Sequence, residues 1–241
     1  MNRAPIPTES SSMSARRHRL PWFKSRHLWL FVTLMAYLLG VPLVEELWPR
    51  TKAILDLFIL LVMAAAAYSV IDRRRVFFFS LVLLFGGTIL VLDVLPLPAS
   101  AWQVLGCLLL VGFFGIVLVA ILKDVLTVER VDFDAISGAL SGYLLMGLLW
   151  GFAYQALELT WPGSFDFGDG SLSVAHGASY LSEHWSVLFY FSYVTLTTTG
   201  YGDVTPLSNP AGQLAITEAV VGQFYMVVLV ARLVGLYSRK R

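Results

Sequence analysis

Thr195-Leu196-Thr197-Thr198-Thr199-Gly200-Tyr201-Gly202-Asp203 closes a stretch, residues 184–202, that contains no Asp, Glu, Lys or Arg; an aromatic and β-branched run, 185–194, leads into it. Glycines at alternate positions permit positive φ, so successive residues can take opposite-handed dihedrals and turn all their carbonyls toward one axis. A side chain at Gly200 or Gly202 would be strained by that geometry. The carbonyls of Thr198, Thr199, Gly200 and Tyr201, with the Thr198 hydroxyl at the inner end, then offer oxygens in place of the water shell of a monovalent cation. Stripping that shell is expensive, so the cage must be complete, and one loop per chain implies four copies around an axis.

The rest of the chain places this stretch in a membrane. Of 241 residues, 57% are hydrophobic and 14% charged, more apolar surface than a soluble protein of this size can bury. An ordinary soluble enzyme is thereby excluded. A net charge of +1 carries no basic excess for nucleic acid, and the single cysteine, Cys107, excludes an intramolecular disulfide or a Cys-rich metal site. Apolar stretches of spanning length occur at 27–44, 53–71 (interrupted by Asp56), 76–92, 94–122 and 135–157, with a further run at 211–237 broken by Glu218 and Arg232.

Whether 184–202 crosses or re-enters is decided by charge. Six spans with a re-entrant 184–202 put 15 of the 17 basic residues on the cytoplasmic side, leaving only Arg50 and Lys52 outside. The expectation is an all-α polytopic membrane protein with six transmembrane helices, a re-entrant pore helix and a filter loop, both termini cytoplasmic, in a plasma membrane. Residues 1–26, rich in Ser and Arg, read as a short cytoplasmic tail, and 27–126 as a four-helix peripheral bundle. Residues 127–241 read as a pore domain: outer helix 135–159, outer loop 160–183, pore helix 184–197, filter 198–202 and inner helix 211–237. The loop 161–183 holds four glycines and five serines, and no soluble domain is expected after the last helix.

The string TLTTTGYGDVTP at 195–206 resembles the signature of tetrameric potassium channels, and the helix after it is similar to their inner helix. The resemblance is strong from about residue 135 to 237 and thin before that. It implies a homotetramer that passes K⁺ through a filter with ion sites at Thr198, Thr199, Gly200 and Tyr201, closed by Gly202. Twenty-four residues beyond Thr198 stands Gly222, where the family places its gating hinge, followed by Gln223, Met226, Val230 and Val234 as a cavity-lining stripe. It implies that Asp203 and Tyr190 support the filter, Asp203 by bracing rather than as an acidic ring. Departures are Thr199 for the usual Val or Ile, Tyr190 and Phe191 where many relatives carry Trp, and Val194 where some carry a buried glutamate. Glu218, an acid inside a span, is expected to support the filter through hydrogen bonds to Thr195 or Thr197.

Several features are missing. Residues 101–122 contain no Lys or Arg, so steep intrinsic voltage gating is not expected, and the Asp56 and 72–75 charges read as a static cluster. Four histidines at or beyond span ends offer no enzyme site. No cofactor other than K⁺ in the filter is expected. Membrane lipids are the surroundings, and the sequence identifies no soluble regulatory subunit. A weakly selective cation channel and the pore subunit of a potassium-uptake system are the alternatives.

Overall fold

The computed structural model describes residues 26–47, 52–71, 73–91, 99–128, 133–168 and 185–238. The expectations for the tail 1–25, most of the outer loop (169–183), His184, Arg130, and the Asp56 and Asp72 side chains fall outside them. The elements run α1 (Arg26–Leu47), α2 (Lys52–Ser69), α3 (Arg74–Val91), α4 (Ala99–Thr127), α5 (Phe133–Thr160), β1 (Phe165–Asp166), α6 (Trp185–Leu196), β2 (Thr205–Pro206) and α7 (Asn209–Ser238). The chain is an all-α membrane protein with one small addition, the antiparallel pair Phe165↔Pro206 and Asp166↔Thr205.

Among the described residues, three helical stretches are long and apolar enough to cross a bilayer: Ala101–Thr127, Phe133–Thr160 and Asn209–Arg232. Shorter apolar stretches lie in α1, α2 and α6. The 12 residues of α6 extend only about 18 Å, well short of the roughly 30 Å of hydrocarbon. An irregular chain, 197–208, and then α7 follow it.

Local signals set the helix ends. Ser208 precedes α7, and its hydroxyl accepts from the Ala211 N–H at 3.3 Å, an N-cap ahead of Pro210 in the first turn. At the opposite end of the molecule, Arg73 in the α2–α3 turn forms an ion pair with Asp124 near the end of α4. Asp124 was not part of the charge cluster expected from Asp56 and residues 72–75.

Because lipid tails are as apolar as leucine, helices in a bilayer associate through close packing and interhelical hydrogen bonds. α5 is the hub, packed against α4, α1 and α6. Phe114 of α4 stacks on Phe152 of α5, with centroids 5.7 Å apart, and Phe152 meets Phe189 of α6 edge-on at 5.0 Å. Tyr37 of α1 reaches the same Phe189. Gly147 and Gly151 of α5 let α6 approach this closely, since a Cβ there would sit inside the Tyr193 and Phe189 rings. α7 is different: 22% of its apolar stretch is buried by the chain, against 72% for α5.

Candidate functional site

α6 ends in a defined cap that sets up everything after it. The Thr199 N–H donates to the Val194 carbonyl and the Thr198 N–H to the Thr195 carbonyl, both at 2.9 Å. That pair is a Schellman motif with Thr198 at the left-handed position usually given to glycine. Its φ is +57°, an uncommon state for a β-branched residue that costs about 1–2 kcal/mol. Gly200 follows at +60° and Gly202 at +80°. Positive φ thus falls at alternate residues 198, 200 and 202, with Thr199 and Tyr201 between them.

The chain itself leaves this segment bare. Residues 197–203 are exposed, Tyr201 to 70%, and a Cβ built at Gly200 or Gly202 would meet nothing within 4 Å. Glycine is needed at both for φ and not for space. The Thr199 hydroxyl turns back to the Thr197 hydroxyl at 2.9 Å.

Support comes from three sides. At the Asp203 end the Tyr190 hydroxyl donates to the Asp203 carboxyl at 2.7 Å, and the other Asp203 oxygen accepts from the Val204 N–H. The bond from Tyr190 holds the Asp203 carboxyl below its usual value. Phe191 turns away to pack on Tyr154 and Phe165. The chain after α5 folds over the same place: a Cβ on Gly168, φ +74°, would lie 2.6 Å from the Asp203 carbonyl oxygen. Glu158, buried at the end of α5, holds that turn by accepting from the Gly163 and Ser164 N–H groups at 2.7 and 2.9 Å. The Ser164 carbonyl accepts from Leu207 in turn.

At the α6 end, the Tyr143 hydroxyl donates to the Leu196 carbonyl at 3.0 Å and the Tyr193 hydroxyl to the Leu144 carbonyl at 2.8 Å. Gly222 of α7 presses on the same residue, with its hypothetical Cβ 2.7 Å from Leu196 Cδ1 and 3.1 Å from the Leu196 oxygen.

Glu218 corrects one expectation. Its carboxyl group is fully buried, but its partners are Tyr154 of α5 and Ser192 of α6 (Oγ to Oε1 2.6 Å), not Thr195 or Thr197. Register explains the difference. Gly222 lies against Leu196, so one turn back on each helix brings 218 level with 192, while the Thr197 hydroxyl is already bonded to the Tyr193 carbonyl. Met226, Val230 and Val234 are all exposed on α7, as is Gln223, so the stripe lies off the face that packs on α5 and α6. Gly222 itself has a packing role here, and α7 runs unbroken through it.

Tyr154, Ser192, Tyr143, Glu158 and Gly168 were not distinguishable in the sequence. A signal did exist for the first two: Gly147 and Gly151 form a small-xxx-small pair that marks where α5 receives another helix.

A short apolar helix, a segment with positive φ at 198, 200 and 202, and a long apolar helix left largely uncovered by its own chain stand together in one membrane protein. Residues 142–239 match the family model described as "Ion channel". Protein LctB of Bacillus caldotenax is 30% identical over 134 residues, which cover 51% of this chain and 93% of that protein. No solved structure matches the chain. The chain belongs to the ion-channel family and provides a passive pathway for ions.

Proposed function

We propose that this ion channel is potassium-selective and acts as a homotetramer, with residues 198–202 of each subunit lining one axial filter. The observation that carries the reading is the alternation of positive φ at 198, 200 and 202 in a segment that its own chain leaves exposed. Such a backbone aims its carbonyls one way, and four of them around an axis replace the hydration shell of K⁺, the transported ion. The uncovered face of α7 supports a neighbour at that axis, with Met226, Val230 and Val234 toward the cavity and Gly222 at the level where the inner helix would bend.

In this reading α1 to α5 and α7 are six crossings in a plasma membrane, α6 re-enters, and both termini are cytoplasmic. The absence of Lys and Arg from residues 101–122 of α4 supports opening that is not driven by a charged fourth helix.

The test is the reversal potential of the purified protein in planar bilayers with K⁺ on one side and Na⁺ on the other. A potential that follows the K⁺ gradient is expected. One that follows Na⁺ equally would replace the proposal with a weakly selective cation channel.

A further inference from the structure

Three helices meet at one buried hydrogen-bonded cluster behind the strained segment, and its hydrogens can be counted. Tyr154 of α5 donates to Glu218 Oε2. Ser192 Oγ of α6 lies 2.6 Å from Glu218 Oε1 and 2.8 Å from the Gly147 carbonyl oxygen of α5. Ser192 has one hydroxyl proton. If Glu218 were a carboxylate, that proton would face two acceptors, and one of the two short O···O contacts would hold no hydrogen.

Among the described residues, no positive charge stands against Glu218 to offset one of its own. Glu218, Ser192 and Tyr154 are each fully buried. Among the described residues, the titratable groups that interact with Glu218 are the phenols of Tyr143 and Tyr154 from α5 and Tyr193 from α6. Among the described residues no cation pairs with it. An uncompensated buried carboxylate is among the most expensive groups a fold can hold.

We propose that Glu218 is a hydrogen-bond donor: its carboxyl carries a proton, donates it to Ser192 Oγ, and so frees the Ser192 hydroxyl to donate to the Gly147 carbonyl. The chain Tyr154 → Glu218 → Ser192 → Gly147 then runs in one direction with every O–H on one acceptor. It ties α7, α6 and α5 together one helical turn from the Gly222–Leu196 contact, so Glu218 is a positioning residue for the segment that α6 delivers. Glutamine reproduces this pattern, its amide N–H₂ donating to Ser192 and its oxygen accepting from Tyr154. The proton assignment stands on the cluster alone; only its consequence for conduction rests on the pore proposed above.

The experiment is infrared spectroscopy of the full-length protein in lipid bilayers at neutral pH, comparing the unmodified chain with Glu218→Gln and Ser192→Ala. A carboxylic-acid C=O band that Glu218→Gln removes and Ser192→Ala shifts is expected. Absence of any such band, or a carboxylate band lost in its place, overturns the proposal. Thermal unfolding provides the second readout: Glu218→Gln should unfold close to the unmodified midpoint, whereas Glu218→Ala should lower the folded-to-unfolded ratio by about tenfold or more. Destabilisation by Glu218→Gln equal to that of Glu218→Ala would also overturn it. If the band behaves as expected but the unmodified protein passes no K⁺, the proposed function fails while the donor role of Glu218 stands.

Discussion

Replacing Gly222 with alanine tests whether this glycine is needed for contact or for bending. Two effects of opposite sign act. Ala in place of Gly in the interior of α7 favours the helix by about 1 kcal/mol. Against that, the new Cβ would lie 2.7 Å from Leu196 Cδ1 and 3.1 Å from the Leu196 oxygen, where ordinary carbon contacts sit at about 3.5–4.0 Å. Leu196 is fully buried. Its carbonyl is also held by the Tyr143 hydroxyl at 3.0 Å. Neither atom can step aside freely, and overpacking of this kind costs about 1–3 kcal/mol. The net expectation is destabilisation of about 0–2 kcal/mol, with the strain passed to Thr198, two residues beyond Leu196.

The assay is a double-mutant cycle of Gly222→Ala and Leu196→Ala, read by chemical unfolding of the purified protein in detergent. With Leu196 truncated, the side-chain clash disappears and Gly222→Ala should become neutral or stabilising, giving a coupling of about 1 kcal/mol or more. If Gly222→Ala stabilises the protein with Leu196 intact, the contact does not constrain Gly222 and the reasoning fails. K⁺ flux in the same variants reports whether the displaced α6 end disturbs conduction.

Other expectations follow from the same geometry. Gly200→Ala has space for its methyl within the chain but not the right φ, so it should abolish K⁺ flux while the protein still assembles; surviving selective flux would remove residue 200 from the ion path. Asp203 has its carboxyl held low by Tyr190, so the stability from that bond is complete above the ordinary carboxylate value and lost as the pH falls through the lowered one. In Tyr190→Phe the Asp203 titration followed by carbon NMR should move up toward the ordinary value; an unmoved midpoint would deny the brace. Charge neutralisation at Arg73, Arg74 and Arg75 together should change stability by less than about 1 kcal/mol, because the Arg73–Asp124 pair is partly exposed. Channel opening measured against voltage should keep its steepness, and a large loss of gating charge would overturn the voltage-insensitive reading.

Much of the site was legible from residue order. The limits of α6, with helix at Trp185–Leu196 where 184–197 was expected, follow from an aromatic run ending in a turn-forming string. Positive φ at Gly200 and Gly202 follows from their alternation, because backbone freedom belongs to the residue type itself. The resemblance, not the residue order alone, pointed to Asp203 as a brace, and the structure gives it the Tyr190 hydroxyl as a hydrogen-bond partner. The left-handed Thr198 was not legible, because nothing in a threonine announces that state; the two capping hydrogen bonds of α6 impose it.

What only the tertiary structure decided concerns residues far apart in the chain. Glu218 was visible as an acid in an apolar helix, which says that it needs partners but not which ones. The answer depends on the register between α6 and α7, set where Gly222 meets Leu196, and on Gly147 and Gly151 admitting α6 against α5. Glu158 and Gly168 likewise acquire roles only when the turn after α5 folds over Asp203. Composition and local pattern determine where a chain crosses apolar surroundings and where its backbone can bend, because those depend on each residue and its near neighbours. Which buried polar groups meet depends on how whole helices are set against one another, and that is a property of packing.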